Sequence, residues 1–229
     1  MKTILFILTS FLVIAYWIIF TGADDYVWFQ NRNDFEALDA ALTSIFFYKT
    51  FFWLLVSNLA VLLVFQLIMK KYNIAVRIFI LSMLIYIFAG TYVNKQCAPL
   101  YYTIFINQSV GERYIQRPIC EAGYYIGPVI TKGIIDRNMN YRRYAISGLA
   151  KIKYIPATET LKLILFDTSE EDYFRAVAYV TLHRFDTEET QKILYDFRSQ
   201  ATNTCDKKVV QLADFWLRIT PLMPGCTHI

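Results

Sequence analysis

Three uncharged apolar runs crowd the first 94 residues, and they constrain this chain more than any other feature. Residues 4–20 read "ILFILTSFLVIAYWIIF", residues 51–69 read "FFWLLVSNLAVLLVFQLIM", and residues 78–93 read "IFILSMLIYIFAGTYV", with residues 74–76 extending the last run across Arg77. A helix needs about 20 mostly apolar residues to cross a bilayer core. The runs predict three transmembrane spans at about 4–20, 51–69 and 74–93. Lys2, Lys49 and Arg77 sit at run ends, where long stems let a charge reach the headgroups. Tyr16, Trp17, Phe51, Phe52, Trp53 and Tyr92 sit near run ends too, as an aromatic belt requires.

Charge falls unevenly along the chain. Residues 1–94 hold six of the 23 Lys and Arg and five of the 19 Asp and Glu, so residues 95–229 carry 17 and 14, near-normal polarity. This divides the chain into a membrane domain, 1–94, and a second domain, 95–229, long enough to bury its own core. The second domain's net charge of 17 − 14 = +3 is too mild to imply nucleic acid. Two histidines in the chain argue against a His-built metal site, and no nucleotide, metal or other cofactor motif is present.

Orientation follows from the connectors. Between the second and third runs lie Lys70, Lys71 and Arg77, with no acid. The acidic connector 21–43 holds Asp24, Asp25, Asp34, Glu36 and Asp39 against Arg32. Basic short loops stay in the cytoplasm, so the acidic connector, and with it residues 95–229, is expected outside. The first run, too long for a signal peptide's apolar core and followed by a poor cleavage site, is expected to remain as an anchor. Within the connector, Asn33 or Asp34 can cap a helix, predicting one rod from about residue 34 to 70. Trp28 and Phe29, just before it, are candidate partner-contact residues.

The cysteines fit that placement. Cys97, Cys120, Cys205 and Cys226 all fall in the region expected outside, and oxidising compartments form disulfides. Four cysteines allow three pairings. Closeness in sequence favours Cys97–Cys120 and Cys205–Cys226.

Inside the spans, Asn58, Ser82 and Gly90 are candidates for helix packing, since small and polar residues at mid-depth let helices approach. The outer domain has a membrane-proximal part, 95–127, and then a helical pattern over 128–220. Asn140, Pro156, Ser169, Asp186 and Asp206 are expected to open its helices. A shift of 33 residues places Arg142 on Arg175, Ala145 on Ala178, Leu149 on Leu182 and Leu161 on Leu194. The segment "YRRYAISGLAKIKYIPATETLKLILFDTSEEDYFRAVAYVTL" resembles bacterial HEAT-like repeats over about residues 140–197. Those repeats carry an Arg, a small residue and a Leu on a first helix, and spaced leucines on a second. The resemblance implies a protein-binding scaffold. Arg142 and Arg143, on the first such helix, are candidate partner-contact residues that could face an acidic partner or headgroups, a solvated helix face being the plainer reading.

His183 with Cys205, and the carboxylates of "TSEED" and "DTEE", are the nearest approach to catalytic groups. Their positions suit a helix C-terminus and helix caps equally well. The fold expected is therefore all-α: three spans followed by an extracytoplasmic HEAT-like domain. The expected function is a scaffold or accessory subunit of an envelope membrane complex, contacting the membrane and other integral or envelope proteins, as a homo- or hetero-oligomer. The alternative is a membrane enzyme acting on lipid or envelope substrates. A small channel would need polar residues lining the spans.

Overall fold

The computed structural model describes residues 9, 11, 12, 15, 34–108, 115–219 and 226. The described residues are all-helical, with no strands. The chain divides into two compact units, Met1–Asn107 and Gln108–Ile229. Of the first apolar run only Thr9, Phe11, Leu12 and Ala15 are described, and these are helical. Trp28 and Phe29 lie outside the described residues.

In the first unit two long helices form a hairpin, α1 (Asp34–Ile68) and α2 (Tyr72–Asn107). The acidic stretch and the second apolar run are one rod, because nothing between Asp34 and Ile68 breaks a helix. The turn is closed at Lys70, whose φ of 55° is left-handed. The Lys70 N–H donates to the Leu67 carbonyl and the Lys71 N–H to the Gln66 carbonyl, which satisfies two orphan carbonyls of α1 in a Schellman arrangement. α2 does not stop at residue 93. It runs through Pro99 to Asn107, so the unit boundary lies at 107 and not at the 94 that composition suggested. Both helices are long and apolar enough to cross a membrane; the described residues contain two such helices, not three.

At 1.5 Å per residue each rod is about 50 Å long, well beyond a hydrocarbon core of about 30 Å. The surplus lies at the end away from the Lys70 turn, and burial changes there. Near the turn the apolar side chains are exposed: Val61, Val64 and Leu67 on α1, and Phe79, Leu84 and Phe88 on α2, Phe88 at 72%. Away from the turn a buried seam runs between the helices, Ala40, Ala41 and Ile45 on α1 against Val93, Tyr101, Ile104 and Phe105 on α2, Phe105 at 0%, while Leu42 and Phe46 stay exposed. The change falls between Phe88 and Val93, next to the first charges beyond the runs, Lys49 and Lys95. Lys49 donates from Nζ to the Tyr101 hydroxyl and lies 5.0 Å from that ring's centroid. Its stem carries the ammonium along α1, away from the apolar zone, as snorkelling requires.

The second unit holds α3 (Arg117–Ala122), α4 (Gly127–Gly133), α5 (Arg142–Lys151), α6 (Thr158–Phe166), α7 (Asp172–Phe185), α8 (Glu188–Gln200) and α9 (Thr204–Ile219), with 3-10 turns at Gly123–Ile126 and Ile155–Ala157. α7 is its hub and packs on α5, α6, α8 and α9. Eight successive residues of α7, from Arg175 to Leu182, are buried, so it is enclosed on every side. Close approach also requires Gly127: a Cβ there would lie 2.2 Å from the Tyr154 ring.

Several helix starts differ from expectation. α5 follows Tyr141 in a left-handed conformation, not an Asn140 side-chain cap. α7 follows Glu171, with no side-chain cap bond, and Ser169 lies two residues earlier. The capping box before α8 is made by Thr187 and Thr190, because Asp186 is already the left-handed residue ending α7. α6 begins at Thr158, after the 3-10 turn that contains Pro156, and Asp206 lies in the first turn of α9.

The disulfide also departs from the expected pairing. Cys120 pairs with Cys226, 106 residues away, while Cys97 is buried and free and Cys205 exposed and free. Cys97 sits inside α2 in the first unit, so neither expected pair forms. The bond joins α3 to the chain beyond α9 and closes nearly the whole second unit into one loop. Reduction or Cys226→Ser is expected to lower that unit's unfolding free energy by about 4.7 kcal/mol, the chain-entropy value for a loop of about 100 residues. Denaturant unfolding with and without reductant measures this, and an unchanged midpoint would contradict it.

Candidate functional site

Two buried arginines organise the second unit, and they are the two that a shift of 33 superposes. Arg142 opens α5 and Arg175 lies in the first turn of α7; each is almost fully buried, at 3% and 2% exposure. A buried guanidinium requires acceptors, and each finds two kinds. Arg142 Nε donates to the Ile134 carbonyl at 2.7 Å, where α4 ends, and its Nη2 to Glu170 Oε2 at 2.7 Å. Arg175 Nε donates to the Leu165 carbonyl at 2.9 Å, in the last turn of α6, and its Nη2 to Asp206. Carbonyls at a helix C-terminus have no partner within the helix, so each arginine caps the helix before it. Each then pairs with an acid from farther along the chain, Glu170 just before α7 or Asp206 in α9. A ring completes each site: Phe174 lies 4.8 Å from the Arg142 guanidinium and Phe197 5.6 Å from that of Arg175.

The two clamps differ at one position. Asp172, three residues before Arg175, lies 3.8 Å from its Nη1. Met139 stands three residues before Arg142, and the Arg142 Nη1 is buried without an acceptor.

Arg142 is thus a core residue, which removes it from the partner-contact candidates. Arg143 is exposed, because successive helical residues point about 100° apart. Its guanidinium stacks 4.8 Å from the Tyr144 ring and 5.9 Å from Tyr173, and Tyr173 meets Trp216 edge to face at 5.2 Å. Arg143 and Tyr144 come from α5, Tyr173 from α7 and Trp216 from α9, which makes a cation–aromatic ladder across three helices.

A separate cleft of about 280 Å³ is lined by Tyr179, His183, Tyr195, Arg198 and Asp214, among others. Arg198 grips Asp214 through both carboxylate oxygens, at 2.5 and 2.7 Å. Burial raises the Tyr179 phenol above its ordinary value. His183 lines this cleft, whose walls do not include Cys205. Glu171 is exposed. Among the described residues, no group of three or more His, Cys, Asp or Glu is placed to hold a metal.

The helix-packing candidates separate as well. Gly90 lies at the helix contact, where a Cβ would stand 3.5 Å from the Phe52 ring of α1. Ser82 Oγ donates to the Ile78 carbonyl of its own helix at 2.7 Å. The Asn58 carboxamide oxygen is buried without a donor.

Sequence reasoning missed Glu170 and Asp206 as clamp partners, treating both as residues at helix starts. The available signal was the pairing of each repeated arginine with an acid 28 or 31 residues later. The chain matches no protein-family model, no curated protein and no solved structure.

Burial alone would raise the Glu170 carboxyl, but the Arg142 hydrogen bond and charge, the Glu171 N–H and the Arg137 charge together hold it below its ordinary 4.5. A depressed carboxyl contributes stability above its unfolded value and loses it as pH falls through the folded value. The second unit should therefore lose stability progressively below about pH 4.5. Glu170→Gln should flatten that acid limb and lower stability at neutral pH by about 3–5 kcal/mol, because the buried Arg142 charge loses its ion-pair partner. Denaturant titrations at several pH values decide it; an unaltered acid limb in the variant would contradict the assignment.

Proposed function

We propose that this chain is a membrane-anchored scaffold, an accessory subunit of an envelope membrane complex, with its second unit a HEAT-like repeat domain outside the cytoplasm. One observation carries the reading. Arg142 and Arg175 repeat the same double clamp at a spacing of 33 residues, each capping the preceding helix and pairing with a later acid. A unit whose repeated residues serve to stack helices presents extended faces, as repeat scaffolds do. The Arg143–Tyr173–Trp216 ladder is the face assigned to the partner, since Arg and aromatics dominate binding energetics at protein interfaces.

Two features support the address. The disulfide favours an oxidising compartment. Lys70, Lys71 and Arg77 cluster at the α1–α2 turn, and exposed basic turns of this kind stay cytoplasmic. The turn then lies inside, and α2 leads outward to the second unit.

Cys205 makes the test direct, because it is exposed and free. A membrane-impermeant maleimide should label it on intact cells without reductant. The labelled chain should then purify in mild detergent with a partner at fixed stoichiometry, and Arg143→Glu should remove that partner while leaving the chain's melting unchanged. Labelling only after lysis would reverse the orientation. A chain that purifies alone at normal abundance would overturn the scaffold.

A further inference from the structure

We propose that the cleft between Tyr48 of α1 and the Gln96–Pro99–Leu100–Thr103 stripe of α2 is a headgroup site for an anionic phospholipid. The proposal rests on the reading that the hairpin spans a bilayer. The cleft measures about 290 Å³. Tyr48 stands 20 residues before Ile68, so it lies about 30 Å along α1 from the turn, where a hydrocarbon core that begins at the turn would end. The cleft therefore falls at headgroup depth in the opposite leaflet.

Its chemistry fits a phosphate diester with polar substituents. From residue 40 to residue 111 the chain contains no Asp or Glu, yet it places Lys49 and Lys95 at this level. Lys49 bonds a tyrosine hydroxyl, not an acid. Lys95, Pro99 and Thr103 recur at four-residue spacing and so share one face of α2. Lys95 is exposed on that face, one turn toward the membrane from Pro99. Pro99 has no N–H, so the Lys95 carbonyl loses its helical donor. Gln96, the Tyr48 hydroxyl and Thr103, whose hydroxyl donates to the Pro99 carbonyl at 3.1 Å, supply further polar atoms. Leu100 and the Pro99 ring form an apolar wall for the glycerol and the start of an acyl chain. A cation with no acid partner among the described residues, beside a partly polar, partly apolar cleft at this depth, selects a lipid of net negative charge over a zwitterionic one.

The full chain is reconstituted in phosphatidylcholine nanodiscs containing headgroup-spin-labelled phosphatidylglycerol, and the immobilised fraction of label is measured. One labelled lipid per chain should be immobilised. Lys95→Gln should weaken retention about fivefold, the effect of one lysine worth about 1 kcal/mol near an anionic surface. Leu100→Trp, which fills the cleft while keeping the charge, should abolish it. Arg77→Gln, at the other end of α2, should leave it unchanged. Equal retention of spin-labelled phosphatidylcholine, or equal loss with Arg77→Gln, would overturn the site in favour of general attraction. Competition by soluble glycerol phosphate would overturn the lipid assignment. A chain that fails to float with phosphatidylglycerol vesicles would overturn the membrane reading beneath it, and flotation without a selective lipid would overturn the site alone.

Discussion

Everything in the first unit depends on where its apolar surface meets water. Val61, Val64, Leu67, Phe79, Leu84 and Phe88 point away from the hairpin's own contact, and nothing among the described residues covers them. At about 25 cal/mol per Å² of apolar area, several exposed side chains of this size would cost several kcal/mol in water. In lipid the same exposure costs nothing, and backbone polar groups in a helix are already paired. Beyond Lys49 and Lys95 the hairpin has a buried seam of Ala40, Ala41, Ile45, Tyr101 and Phe105, with Leu42 and Phe46 exposed beside it.

The second unit is built on another constraint. A chain of short helices leaves many unpaired carbonyls at helix ends. Arg142 and Arg175 take those of α4 and α6 and turn each into one end of an ion pair. Such buried pairs contribute little to net stability compared with apolar replacements, but losing one partner costs about 3–5 kcal/mol. Each ties the end of one helix to an acid farther along the chain. The Cys120–Cys226 bond then closes the unit from the other direction.

How much of this was legible in the sequence varies by element. The α1 rod was, because an acidic start, an unbroken apolar run and a missing breaker all agree. The end of α2 was not. Pro99 and the polar "NKQ" before it look like a stop, whereas a helix with neighbours tolerates one lost hydrogen bond. Disulfide pairing by proximity failed because loop closure costs only about 0.6 kcal/mol per doubling of length, so a long loop is hardly disfavoured. The Arg142–Arg143 pair shows a finer limit. Arg142 shares a stripe with Ala145, Ile146 and Leu149 and so belonged to the core, but charge alone directed both arginines to the surface. The 33-residue shift held the correct signal for Arg142, since it aligned that residue with another buried arginine. The acid partners were hidden because they lie at the starts of later helices, where a carboxylate already has a local explanation.

The central claim is that the turn-proximal half of the hairpin lies in lipid and the distal half in water. Spin labels placed singly at Phe79, Leu84 and Phe88, and at Gln96 and Asn107, in a Cys205→Ser background reconstituted in vesicles, test it through electron paramagnetic resonance power saturation. The account predicts that the first three relax with oxygen and ignore a water-soluble nickel chelate, and that Asn107 shows the reverse, with Gln96 between them. Nickel accessibility at Leu84 equal to that at Asn107 would contradict it.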